Sequence, residues 1–292
     1  MMQNKILVIG AAFVDVIIEV PQLPSPGEDV TGDFQKNQVG GSAFNVYGAL
    51  NYAEATADLL APVGRGPYAD IVTKTMQQRQ FPILLQDDIA DNGWDISLVE
   101  PSGERSFITM QGIDQLWKSE WFDSLDFQSY QYFYISGYET EQKESLTVIL
   151  NQLRTRRPDS YIVFDVSPRV QYMTPETIDS FLRSGVIIHG NEDEIKYLSS
   201  YSTVEDQLQD IYSKTNSPVI VTLGNRGAGI YDQNGFRIIA GEEVEAFDTI
   251  GAGDTHCGGI LAGLQRGLSI DRAVKLGNQL SALVIGRRGG SL

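Results

Sequence analysis

Short apolar runs alternate with helix-period segments along most of this chain, and no other feature constrains its fold as strongly. Apolar runs at 5–10, 59–63, 83–86, 132–136, 161–166, 186–189 and 219–223 read as strands. Between them the spacing predicts helices near 43–55, 68–79, 141–156, 175–183 and 203–215. Thr174-Pro175 and Thr203-x-x-Asp206 supply start signals for the last two. A strand–helix–strand sequence needs a crossover connection, and crossovers make neighbouring strands parallel. The expectation is an α/β chain, with a mostly parallel central sheet flanked by helices on both faces. Residues 1–292 read as one domain without repeats or linkers. Two segments depart from the rhythm: 13–34, with VDVIIEV and a Pro/Gly-rich turn, and 94–110, a hairpin about Pro101-Ser102-Gly103-Glu104. Together they predict a small β lid.

Charge and cysteine content narrow the function. Thirty-eight Asp plus Glu against 22 Lys plus Arg give a net charge of −16. Such a surface repels phosphate backbones and anionic headgroups, which argues against nucleic-acid and membrane partners. No apolar run approaches the roughly 18 residues of a spanning helix. MMQNKILVIG reads as a first strand instead of a cleavable leader, so a cytoplasmic chain is expected. With Cys257 alone no intrachain disulfide forms, and a Cys-based zinc site is disfavoured. His189 reads as a strand end and His256 as helix surface, with no ligand-like spacing and no Ser–His–Asp arrangement.

The sharpest chemical signal is Asp248-Thr249-Ile250-Gly251-Ala252-Gly253-Asp254, followed by the helical THCGGILAGLQRG. Small residues before a helix leave its first N–H groups unobstructed, and with the helix dipole they can hold a phosphate. Asp254 cannot bind that phosphate, but it can accept a proton from a hydroxyl attacking it. Read without context, the same string is also a glycine-rich turn with a dipole-friendly acid.

The seven-residue string resembles the signature of the ribokinase-like, or PfkB, family of carbohydrate kinases, and further motifs extend the likeness over essentially the whole chain. The resemblance implies ATP and Mg²⁺, with Asp254 as catalytic base and Gly251, Ala252 and Gly253 as an anion hole. Gly10-Ala-Ala-Phe-Val-Asp15 and Gly40-Gly41-Ser42-Ala43-Phe44-Asn45 resemble the acceptor-binding motifs, implying substrate contacts from Asp15, Gly40, Gly41 and Asn45. Phe164-Asp165-Val166-Ser167-Pro168-Arg169 is similar to a strand-end D-x-x-x-R pattern, implying Arg169, and more weakly Tyr138, as substrate groups. Asn191-Glu192-Asp193-Glu194 resembles the family's Asn-x-x-Glu motif, with Glu194 orienting hydrated Mg²⁺; by spacing it is equally a capping box. Thr222, Gly224, Arg226 and Gly227 fall on the nucleotide-side loop, which alone also reads as a hairpin turn. Asn278 falls at the adenine pocket or is a helix-surface amide. A monovalent cation such as K⁺ would be held by carbonyls of Asp248, Ile250, Val284, Arg287 and Gly289. The resemblance also implies a homodimer paired through the lid.

One loop competes with this reading. Gly64-Arg65-Gly66-Pro67-Tyr68-Ala69, with Asp87 downstream, is close to a dinucleotide fingerprint and keeps an NAD-dependent oxidoreductase as the rival. Arg65 stands where close pyrophosphate approach is wanted, and a Walker P-loop is absent from the sequence. The expected activity is phosphorylation of a hydroxymethyl group on a sugar or sugar-like molecule. A nucleoside kinase of the same family is the alternative within it.

Overall fold

Six strands run parallel through the centre of the molecule, in the order β12 (Val219–Thr222), β11 (Val186–Asn191), β10 (Tyr161–Asp165), β9 (Tyr130–Ser136), β1 (Lys5–Ile9) and β4 (Ala57–Leu60). A hairpin, β13 (Ala228–Asp232) and β14 (Gly235–Ile239), continues the sheet antiparallel beyond β12. The computed structural model describes residues 4–245, 247–287 and 290–292. Alternation along β1 divides the core: Ile6 and Val8 point to one apolar layer, Leu7 and Ile9 to the other. The first layer holds α1 (Ser42–Tyr52), α2 (Pro67–Gln78), α7 (Ala252–Gln265) and α8 (Ile270–Ile285). The second holds α3 (Lys143–Leu153), α4 (Pro175–Phe181), α5 (Glu192–Ile195) and α6 (Val204–Thr215). Helices on both faces explain why the β1 residues Ile6 to Ile9 are wholly buried and uniformly apolar.

The start signals operate as expected. The Thr174 hydroxyl accepts from Thr177 N–H and the Thr203 hydroxyl from Asp206 N–H, each cap being worth on the order of 1 kcal/mol. One expected strand is divided: 59–63 breaks into β4 and β5 (Pro62–Val63), and β5 pairs with β6 (Leu85–Gln86) in a separate two-stranded sheet. Pro62 has no N–H to give the central ladder, so the chain leaves it there. Among the described residues no helix is long and apolar enough to cross a membrane.

A second, four-stranded sheet stands over the carboxyl ends of the central strands, in the order β3 (Asp33–Gly40), β2 (Phe13–Glu19), β7 (Trp94–Val99) and β8 (Arg105–Met110). The 94–110 hairpin is present, whereas the strand after the Pro/Gly turn begins at Asp33 and runs beyond 34 to Gly40. Its register places Asp15 beside Asp95 and Asp95 beside Thr109, while Val16, Ile96 and Ile108 align on the opposite face. The polar row borders the cleft described next.

Candidate active site

The DTIGAGD segment ends in the first turn of α7. Gly251 caps that helix in the left-handed region (φ 67°), a conformation glycine adopts without a Cβ penalty. A Cβ there would stand 1.9 Å from the Gly290 carbonyl oxygen, so the segment near the C-terminus abuts the helix start. The next residues are the first of the helix, whose N–H groups have no partner one turn earlier. Ala252 N–H makes a long turn bond of 3.3 Å to the Thr249 carbonyl, and beside Gly253 there is open space. Asp254 then projects into the interior, where Asn45 Nδ2 donates to its carboxylate at 2.9 Å. Burial, reinforced by the nearby Asp165 charge, raises the Asp254 carboxyl to about 7, against the lowering effect of Asn45.

Asn45 lies on α1, which starts at Gly41, again at positive φ (94°) and too close to the Ala11 carbonyl for a side chain. Gly40 leaves room for the Asp15 carboxylate. These residues meet Asp254 around a cleft of roughly 670 Å³, a volume suited to a small molecule. Asp15, Gly41, Asn45, Tyr138, Arg169, Ile250, Gly251 and Asp254 all lie on its wall. Arg169 does not reach into it freely. Its guanidinium pairs with Glu141 at 2.6 Å and lies over the Tyr138 and Tyr172 rings.

The remaining expected residues lie around the carboxyl ends of β11 and β12. Asn191 and Glu194 form a complete capping box, each side chain bonding the other's N–H at 2.9 Å. Glu194 is buried, and burial together with the Asp165 charge lifts its carboxyl to about 7. Thr222 ends β12, and Gly224 to Gly227 form the turn into β13. Arg226 sits exposed on that turn, paired with Glu192 at 2.7 Å. Asp248 and Ile250 lie in the approach to α7 and Val284 and Arg287 at the end of α8, brought together by Phe247 and Asp248 N–H groups donating to the Ile285 carbonyl. Gly289 lies outside the described residues.

Residues 3–292 match the family model described as pfkB family carbohydrate kinase. The chain belongs to the pfkB family of carbohydrate kinases. It is 31% identical to the uncharacterized sugar kinase YegV of Escherichia coli strain K12, covering 99% of this chain and 90% of that one. It is 22% identical to a ribokinase of Haemophilus influenzae, over 99% and 94% of the two chains. The fold is similar to that of Thermotoga maritima ribokinase, with a TM-score of 0.82 at 21% identity over 98% and 94%.

In this kinase the rival dinucleotide loop is closed. The Asp91 carboxylate already occupies the start of α2, accepting from Ala69 N–H at 2.7 Å and Tyr68 N–H at 3.2 Å. Pyrophosphate would have to take the same place. Asp87, the expected ribose acid, instead accepts from Lys118 and from the Trp121 indole, both at 2.9 Å. The oxidoreductase reading is therefore withdrawn. A glycine pattern reports a tight turn before a helix, and a side chain 22 residues away can fill the anion site it creates.

The histidines also differ from expectation. His256 is buried, not on a helix surface, and forms the middle of a row. The Asn278 amide nitrogen donates to the Ile239 and Ala240 carbonyls, leaving its oxygen to His256 Nε2 at 3.0 Å. His256 Nδ1 faces His189 Nε2 at 2.9 Å, and His189 Nδ1 faces Asp165 at 2.8 Å. Burial drives the His256 pKa down to about 3, so its ring is neutral. Asn278 is thus a buried amide with its polar atoms already bonded, and the reading as a surface amide is corrected too. Asp165, His189 and Cys257 converge, yet both His189 nitrogens are already engaged.

Proposed function

We propose that this kinase transfers the γ-phosphoryl group of ATP to a hydroxymethyl group of a sugar or sugar-like molecule, with Asp254 as general base. The observation that carries the reading is the Asp254 carboxylate, held by Asn45 between the small-molecule cleft and a helix start with open space beside Gly253. The acceptor oxygen attacks the γ-phosphorus, its proton passes to Asp254, and the β,γ-bridging P–O bond breaks with its electron pair leaving on ADP. N–H groups of Gly251, Ala252 and Gly253 stabilise charge on the transferring group, Ala252 exchanging its long bond to Thr249 for a phosphoryl oxygen.

When bound with ATP, Mg²⁺ would supply charge neutralisation to the phosphates. Glu194, buried at the same edge of the sheet, is the residue here suited to orient its water shell. By the family likeness, backbone carbonyls of Asp248, Ile250, Val284 and Arg287 would be the ones to hold K⁺. Asp15, Gly40, Gly41, Asn45, Tyr138 and Arg169 hold the acceptor, and Asn191, Thr222, Gly224, Arg226, Gly227 and Asn278 border the nucleotide side. The small sheet serves as a lid that excludes water from the reaction. A sugar is preferred to a nucleoside because the relatives of this chain include the uncharacterized sugar kinase YegV, a ribokinase and a fructokinase. A coupled ADP-release assay with ATP, Mg²⁺ and K⁺ tests the reading. ADP release should depend on added acceptor; hydrolysis indifferent to every sugar would overturn it.

The outer face of the lid supports a homodimer. Val16, Ile18, Ile96 and Leu98 are half-buried there, and Phe34 and Ile108 are 62% and 54% exposed. A second copy placing the same apolar face against it would remove both from water. Phe34→Asp with Ile108→Asp is expected to halve the mass found by light scattering at micromolar concentration. A monomeric parent protein would disprove the dimer.

A further inference from the structure

The lid hairpin carries a carboxylate that the family motifs do not include. Asp95 on β7 is the in-register neighbour of Asp15 on β2, so the two side chains project from adjacent strands into the cleft. Their carboxyls touch, and burial with mutual repulsion raises Asp15 above the ordinary carboxylate range. Asp95 is only 8% exposed, and its Oδ1 is buried without a hydrogen-bond partner. Asn45 Oδ1 and Gln115 Oε1, at 4% and 9% exposure, are likewise buried, unpartnered and on the cleft wall. All three of these atoms are acceptors, and native interiors rarely leave such atoms unsatisfied. The Ser42 hydroxyl on the same wall is also buried and unpartnered and can give or accept, so the complement is a ligand rich in hydroxyls, which do both.

Charge narrows the ligand further. Among the described residues lining the cleft, Asp15, Asp95, Asp114, Glu141 and Asp254 face a single cation, Arg169. Glu141 already holds that cation at 2.6 Å. Arg105 stands near Asp15, but its guanidinium pairs with Asp248 at 3.0 Å. A carboxylate or phosphate on the acceptor would bring a charge that no unpaired cation among the described residues of the cleft wall is there to meet.

We infer that Asp95 is a specificity-determining residue, and that Asp15 and Asp95 together grip adjacent hydroxyls of a neutral polyhydroxylated acceptor. The inference rests on the kinase reading above and deepens it: sugar acids and sugar phosphates are discriminated against at the lid. ADP release is to be measured with a neutral sugar, a sugar acid, a sugar phosphate and an amino sugar as four arms. The neutral arm should exceed each other arm at least tenfold in kcat/KM. Asp95→Asn, close to isosteric, should raise KM for the neutral acceptor about 10–100-fold, with KM for ATP within about twofold.

Preference for the acid, the phosphate or the amine overturns the inference, as does an acceptor KM unmoved in a folded Asp95→Asn. Should that variant melt early, calorimetric binding of the neutral sugar against its acid to the parent protein decides the same point. If no arm releases ADP while ATP still binds, the kinase reading fails and takes the inference with it. ADP release confined to an anionic acceptor removes the inference alone.

Discussion

Asp254→Asn is expected to lower kcat about 10²–10⁴-fold while leaving KM for ATP nearly unchanged. Asparagine keeps the shape and can still meet Asn45, but it has no basic lone pair for the acceptor proton. The pH profile makes the test more specific. Burial and the Asp165 charge raise the Asp254 carboxyl to about 7, so a falling pH protonates it and removes the base. Activity of the parent enzyme should therefore climb as pH rises through about 7, and the residual activity of Asp254→Asn should lack that limb. A variant within threefold of the parent, or one retaining the limb, would show that the base is another group.

Gly251→Ala should be nearly as damaging, by a different route. The new Cβ would meet a backbone oxygen, that of Gly290, at 1.9 Å, and backbone cannot rotate aside as a side-chain tip can. Left-handed φ adds strain of roughly 1–2 kcal/mol for a residue with a Cβ. The start of α7 must then shift, and a displacement near 1 Å at reacting groups costs about 10² in rate. Kinetics and a thermal melt should both register the change: kcat down about a hundredfold and the midpoint lower by several degrees. Gly253→Ala provides the contrast for stability, since a Cβ there meets nothing within 4 Å. Equal melting of parent and Gly251→Ala would remove the steric argument.

The parallel body was legible because strands buried on both faces are apolar throughout, as Ile6 to Ile9 are, and because Thr174 and Thr203 mark helix starts locally. DTIGAGD was legible because an anion site needs small residues in one continuous stretch. What escaped depends on contacts distant in sequence. Asp91 reaching the start of α2 turns a convincing glycine loop into a plain cap. His256 joins a buried row only because α7 and α8 pack side by side against the sheet. Asp95 offered a fainter clue. In WDISLV, Asp95 and Ser97 are buried while Ile96 and Leu98 are half-exposed, an inverted alternation that signals a sheet whose protected side is polar.

The row from Asn278 to Asp165 has a direction. With its amide hydrogens given to the Ile239 and Ala240 carbonyls, Asn278 offers His256 only an oxygen, so His256 must carry its hydrogen on Nε2. Its Nδ1 is then a lone pair, and His189 must carry a hydrogen on Nε2 to meet it. His189 Nδ1 then faces the Asp165 carboxyl at 2.8 Å. One amide therefore dictates the tautomer of two rings, from the far side of the core. Asp165 is also the neighbour whose charge raises Asp254 and Glu194. The side chain that biases the reaction centre is thus held in place through two rings by an amide on α8, so a change at Asn278 is felt at a carboxyl it never touches.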